Sequence, residues 1–332
     1  MFKVDLGLKF GSDEIVVYKK GAGIVAKEPA YLAVTTTNGK AIKVHAIGKK
    51  AEKLFLSKNA NFEVFCPIKN GEIVDEKMAT LLLGKIIENV VEDKVFVGYI
   101  HALVALPSSL NEHQILLIKK VLHASGVNKV EFTFNAVCVQ NALDIDPNKN
   151  FMVVDIGKYS TDFTVLNEFS INMGRMYFVG GADMDKSIQT FIADNFNLKV
   201  SEQTAEKIKN EVASLYANDM YPFEFVGIDE NNNMQRATIT ANDVRLAITN
   251  VYDAIIERVD TVIKTLPAEV AHDIYNNGIV FVGGGSKIAG LYEYVKAKLD
   301  YPVLVPAEPA DTVVMGLGKL LSAGKDFLKI TF

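Results

Sequence analysis

The sequence predicts an α/β protein built of two related halves, and three observations carry that prediction. Short apolar strands alternate with amphipathic segments of helical period over most of the chain. Two strand–turn–strand openings, one at Asp5-Leu6-Gly7 and one at Asp155-Ile156-Gly157, begin the two parts of the sequence in the same way. The length, 332 residues, suits about two domains of roughly 150 residues each.

The elements follow in order. FKVDLGL reads as a first strand and EIVVYKKG as a second, with Gly21 and Gly23 in the turn after it. PAYLAVTTT and KAIKVHAIG are two more, joined by a tight Asn38-Gly39 turn. The run from Glu76 to Val91 has helical period, HALVALP reads as a buried strand, and Asn111 to Ala124 as an amphipathic helix stopped at Gly126. KVEFTF and the apolar helix AVCVQNALD follow, and the polar stretch from Asp146 to Asn150 marks a boundary. Beyond it, FMVVDIG and DFTVLN repeat the opening. KSIQTFIADNF and QTAEKIKNEVASLY read as helices, FEFVGI and QRATI as strands around the turn DENNN, and Asp243 to Thr265 as a long helix ended by Pro267. GIVFVGGGSKIAGLYEYVKAKL then reads as a strand, three glycines and a helix.

Composition narrows the function classes. Hydrophobic residues at 49% exclude global disorder, and a net charge of −5 gives no global electrostatic case for nucleic acid, so no nucleic-acid partner is expected. Cys66 and Cys138 lie in apolar contexts and read as two buried thiols in a reducing cytoplasm. No stretch has the length of a membrane-spanning helix: YIHALVALP, the best run, is interrupted by His101 and ended by Pro107. Lys3, Asp5 and Lys9 break any signal-peptide core, so the expected location is cytoplasmic, with a peripheral seat on the inner membrane face left open. The five histidines show no ligand spacing, and Ser108-Ser109 has no nucleophile-elbow context. Met173, Met176 and Met184 read as packing.

Three turns could hold a nucleotide: Asp5-Leu6-Gly7, Asp155-Ile156-Gly157 and Gly283-Gly284-Gly285, each after an apolar strand. Glycines let backbone N–H groups converge on phosphate, a strand-end carboxylate can hold water on Mg²⁺, and a helix N-terminus favours anions. The alternative is that all three are ordinary turns.

With these turns in place the chain resembles the actin, sugar-kinase and heat-shock-ATPase superfamily, and within it the MreB-type bacterial actins. VDLG, KGAGIVAKEPAYLAV, PIKNGEIVD, ALVALPSSLNEHQ, MVVDIG, GGADMDKSI, QTAEKIKNEVAS, GIVFVGGGSKIAGL and VPAEPADTVVMGLGKLL are similar to the family's segments, in the same order and over nearly the whole chain. The resemblance implies an actin-like fold of two halves, each with a large and a small subdomain, around a cleft for ATP or ADP with Mg²⁺. The implied subdomains are residues 1–32, 67–148 and 303–332; 33–66; 149–180 and 241–302; and 181–240. Asp5 and Asp155 would be the Mg²⁺-side carboxylates, acting through water, with Gly7 and Gly157 in the phosphate hairpins. Gly180, Gly181 and Asp183 would lie near the phosphates, Glu206 and Lys209 at the ribose, and Gly283, Gly284, Gly285 and Lys287 around the adenosine. The charges of AEKIKNE would otherwise be a solvated helix face. The family forms membrane-associated filaments that organise the cell wall, so the implied partners are further copies of the chain, the cytoplasmic membrane face and cell-shape proteins. In the family an apolar loop at the place of Val95, Phe96 and Val97 inserts into the membrane. The same three residues could instead begin a buried strand.

The nucleotide site departs from the family pattern. After Asp5-Leu6-Gly7 the turn is read as lengthened through Leu8, Lys9, Phe10, Gly11, Ser12, Asp13 and Glu14, with Leu8 in place of a hydroxyl. In the second hairpin Lys158, Tyr159, Ser160, Thr161 and Asp162 replace a glycine run. Lys158 could neutralise phosphate charge or occupy the phosphate site. Asn135 stands at the water-activating glutamate position, where an amide can orient water but not take its proton. The sequence therefore predicts a filament-forming bacterial actin with weakened nucleotide binding and hydrolysis. The alternatives are a non-polymerising pseudo-ATPase that binds partners and a small-molecule kinase, the latter lacking a carboxylate base.

Overall fold

The structure is a computed structural model that describes residues 2–11, 14–37, 41–57, 61–91, 97–167 and 170–323. The chain forms two compact units, residues 1–146 with 311–332, and residues 147–310. The division after Asp146 falls inside the polar stretch singled out above.

The first unit begins with β1 (Phe2–Phe10), β2 (Glu14–Lys19), β3 (Gly23–Pro29), β4 (Leu32–Thr37) and β5 (Ala41–Ile47). It continues with α1 (Gly48–Leu56), β6 (Glu63–Phe65), β7 (Ile68–Lys69), β8 (Glu72–Ile73) and α2 (Glu76–Val90). Then come β9 (Val97–Leu106), α3 (Glu112–Ala124), β10 (Lys129–Phe134) and α4 (Asn135–Ala142). Its main sheet has the order β10-β9-β1-β2-β3, with β1, β9 and β10 parallel and β1, β2 and β3 an antiparallel meander. A smaller sheet, β5-β4-β6, stands beside it. The helix starts are local chemistry. The Asp75 carboxylate accepts from Met78 N–H at 3.0 Å, and the Asn111 side chain from Gln114 N–H at 2.9 Å. The Asn38-Gly39 turn and the membrane-loop residues Val95 and Phe96 lie outside the described residues. Val97 is the first residue of β9.

The second unit holds β11 (Phe151–Ile156), β12 (Thr161–Asn167), β13 (Ser170–Tyr177), α5 (Gly181–Phe196), α6 (Glu202–Val212), β14 (Pro222–Ile228), β15 (Met234–Thr240), α7 (Ala241–Ile263), α8 (Ala268–Asn277), β16 (Ile279–Val282), α9 (Leu291–Lys296) and β17 (Val303–Leu304). Its sheet order is β13-β12-β11-β16-β17, again a three-stranded meander joined to two parallel strands. The two main sheets therefore share one topology. Helix α7 buries Val244, Ile248, Val251, Ile255, Val259 and Val262, a stripe at three- and four-residue spacing. Because β17 pairs with β16, residues 303 and 304 belong to this sheet, and the chain returns to the first unit at Asp311 rather than at 303. The return element is α10 (Thr312–Ala323), which packs on β1 and α4.

One local expectation is overturned. β1 does not turn at Asp5-Leu6-Gly7 but runs on through Phe10, so Leu8, Lys9 and Phe10 are strand and not an elongated turn. The turn is at Gly11–Glu14, where Gly11 N–H donates to Glu14 O at 2.8 Å. The cause is the alternation of Leu6, Leu8 and Phe10. All three are buried in the core of the unit, with Leu8 opposite Val17 and Phe10 opposite Ile15 of β2, and this favours continued pairing. Leu8 is thus a core residue.

Candidate functional site

In open α/β sheets ligands sit beyond the carboxyl ends of the parallel strands. In the second unit that edge carries most of the residues the sequence singles out. Asp155 is the penultimate residue of β11, beside Val282, the last of β16, and it is nearly buried. The β11–β12 hairpin closes with Gly157 N–H donating to Ser160 O at 2.9 Å. The N–H groups of Gly181 and Ala182, which open α5, donate to Gly157 O and Lys158 O at 3.0 and 2.7 Å. The orphan amides that a helix start usually offers an anion are therefore partly occupied by the hairpin. Gly180 makes that approach possible, since a Cβ there would lie 2.6 Å from Gly157 O. The Asp183 carboxylate accepts from Gly180 N–H at 2.9 Å, and the Thr161 hydroxyl donates to Val179 O at 2.7 Å. The first bond closes the start of α5, and the second ties the hairpin to the residues just before it.

Two lysines tie this edge to α6. Lys158 Nζ lies 3.2 Å from Glu206 Oε1, so it pairs with the residue expected at the ribose. Lys209 Nζ lies 2.7 Å from Asp185 Oδ1 and donates to Gly181 O at 2.8 Å. Asp185 is fully buried. Burial raises its carboxyl pKa, and the Lys209 charge opposes the rise without cancelling it. The sequence reading missed Asp185. Its signal was an acidic residue two positions after Asp183 at the start of an apolar helix.

The glycine triplet packs against the same edge. Gly283 has φ +89°, and a Cβ there would lie 2.4 Å from both Asp155 Oδ1 and Ile156 O. Gly285 would drive a Cβ to 2.3 Å from Ile156 Cγ2, and its carbonyl accepts from the buried Tyr252 hydroxyl at 2.7 Å. A Cβ on Gly284 would meet nothing within 4 Å, so its exposed backbone is open to approach. Gly284 and Gly285 begin a four-residue 3₁₀ turn that ends at the exposed Lys287. The helix α9 starts only at Leu291, so no helix N-terminus stands directly behind the glycines.

The first unit is different. Asp5 lies level with His101 and with Lys129, the first residue of β10, at the other end of the strands from the ligand edge. It is engaged there. His101 Nδ1 is 2.7 Å and Lys3 Nζ 2.8 Å from Asp5 Oδ1, and His101 Nε2 is 2.7 Å from Glu131 Oε2. Burial raises the Asp5 carboxyl, but the hydrogen bonds and charges of Lys3 and His101 together hold it below the ordinary carboxylate value. Gly7 faces α10, where a Cβ would lie 3.0 Å from Leu317 Cβ, so its glycine is explained by helix packing. Asn135 does lie at the ligand edge. It is the first residue of α4, it is buried, and its Oδ1 has no hydrogen-bond partner. Asp155 is at the edge of its unit, Asp5 is not, and among the described residues no group of three or more His, Cys, Asp or Glu could hold a metal.

Among the described residues no helix is long and apolar enough to cross a membrane. Cys138 is buried in α4 and Cys66 is half-buried, with no disulfide between them.

A family model described as MreB/Mbl protein matches residues 3–329. The cell shape-determining protein Mbl of Bacillus subtilis is 28% identical over 325 residues, 97% of this chain and 96% of the relative. The crystal structure of MreB5 of Spiroplasma citri bound to ADP superposes with a TM-score of 0.85 at 24% identity, covering 97% of each chain. A MamK double helical filament gives a TM-score of 0.78 at 20% identity, over 96% of this chain and 99% of that one. The full-length family match, together with two sheets of one topology, makes this chain a member of the MreB/Mbl family of bacterial actins.

Proposed function

We propose that this protein is a filament-forming cytoskeletal scaffold for cell shape or internal organisation, which binds ATP or ADP and hydrolyses it weakly. The carrying observation is the match to the family over residues 3–329, which takes in both units. In this reading the second unit supplies most of the nucleotide contacts: the Gly157–Ser160 hairpin to phosphate, Glu206 and Lys209 to the ribose, and the open backbone at Gly284 to the base. Lys158 would have to exchange Glu206 for phosphate, which weakens binding relative to a preformed site. The orphan Oδ1 of Asn135 is the acceptor a water-orienting amide would present, but an amide cannot take the proton, so hydrolysis is slow. A seat on the cytoplasmic membrane face rests on the apolar sequence Val95-Phe96-Val97.

The test is sedimentation of the purified protein with and without Mg-ATP, with the pellets inspected by electron microscopy. Filaments are expected, with phosphate release far slower than assembly. No filaments under either condition would overturn the scaffold reading in favour of a partner-binding pseudo-ATPase, and rapid Mg²⁺-dependent phosphate release would overturn the weak-hydrolysis part. Loss of vesicle binding when residues 95–97 are replaced by serine would support the membrane seat.

A further inference from the structure

The two main sheets share one topology, so each position of the first hairpin has a counterpart in the second. In the second unit Asp155 pairs with Asp162, Ile156 with Thr161, and Gly157 closes the turn. In the first, Lys9 pairs with Val16, Phe10 with Ile15, and Gly11 closes the turn. Phe10 and Ile156 point into the cores of their units, and Lys9 and Asp155, one residue earlier, point to the opposite face. Lys9 is thus the counterpart of Asp155, and Asp5 lies four residues back, roughly 13 Å along the strand.

The surroundings of Lys9 point to a ligand edge. It lies level with Ala105 of β9 and Thr133 of β10, each one residue from its strand's carboxyl end. Asn135, with its orphaned buried oxygen, follows Thr133 by two residues. Lys9 is 7% exposed, an uncommon position for a lysine. Its charge also reaches the buried Cys138 thiol on α4.

We propose that Lys9 is a phosphate-binding residue that replaces the first Mg²⁺-side carboxylate, so that this protein binds nucleoside di- and triphosphates without needing Mg²⁺. The inference rests on the nucleotide reading above. A Mg²⁺ ion at a nucleotide is held by one or two carboxylates, phosphate oxygens and retained waters. Replacing one carboxylate by an ammonium removes a ligand and places a like charge near the metal. The same ammonium neutralises phosphate charge directly.

The test is calorimetric binding of ADP and ATP to the full chain, in excess EDTA and in millimolar Mg²⁺, with circular dichroism as the fold control. The two affinities should agree within about three-fold, under 0.7 kcal/mol. In EDTA, Lys9→Met should weaken ATP binding about ten-fold or more and leave adenosine binding unchanged, and Lys9→Arg should recover part of the loss. Lys9→Asp should make binding Mg²⁺-dependent. Wild-type binding that strictly requires Mg²⁺, or a folded Lys9→Met variant that binds ATP like the wild type in EDTA, would overturn the inference and leave nucleotide binding standing. No nucleotide binding under either condition would overturn both.

Discussion

The hairpins that open the two units have the same register, turn closure and core-facing position, yet opposite charges at the ligand edge: Lys9 in one, Asp155 in the other. They also differ in support. The second hairpin is gripped by the start of α5 and by the Thr161 hydroxyl, and is linked to α6 through Lys158 and Glu206. The first lies in the sheet beside α10, with Gly11 O accepting from Gly71 N–H at 3.1 Å at its turn and a side-chain cluster around Asp5 and His101 at its far end. Backbone pairing and core packing can thus be kept while the edge residue changes sign. Topology is set by apolar alternation, whereas edge chemistry depends on single side chains that the core does not constrain.

The comparison can be broken most strongly at Lys209. Lys209→Met leaves Asp185 buried without its cation and should destabilise the second unit by about 3–5 kcal/mol in urea denaturation. Adding Asp185→Asn should restore most of that loss; an equally unstable double variant would show that the ion pair is not what links α5 to α6. Next is Gly180→Ala. Its Cβ would press on Gly157 O, and a loss of about 1–3 kcal/mol is expected from strain in the hairpin–helix contact. Gly11→Ala should cost less, because its Cβ would sit 3.1 Å from Glu14 O and no helix start packs there. Equal losses would mean the two hairpins are supported alike.

The smallest effect concerns acid. The Asp5 carboxyl is held below its unfolded value of about 3.9. Its contribution is therefore fully present above that pH and is lost as pH falls through the lower folded value. Asp5→Asn should flatten the decline in stability below about pH 4, read from denaturation midpoints along a pH series. An unchanged acid limb would show that the Lys3–Asp5–His101 cluster does not distinguish the first unit.

Much of this was legible in the sequence. The long stripe of α7 and the cap Asn111 are local signals, and each marks an element by its own spacing. The two-part organisation was legible because two similar openings flank one polar boundary. The position of the first turn was not. Asp5-Leu6-Gly7 looks like Asp155-Ile156-Gly157 residue by residue, and only the strand register shows that the chain turns four residues later. The same is true of side chains that meet across the chain. Lys158 with Glu206, Lys209 with Asp185, and Asp5 with His101 are contacts between elements distant in sequence, and no local pattern specifies them. The sequence by itself determined the elements, their order and the family. The tertiary structure decided which of two similar motifs stands at the ligand edge, because register is settled by how a whole strand buries its face against its neighbours.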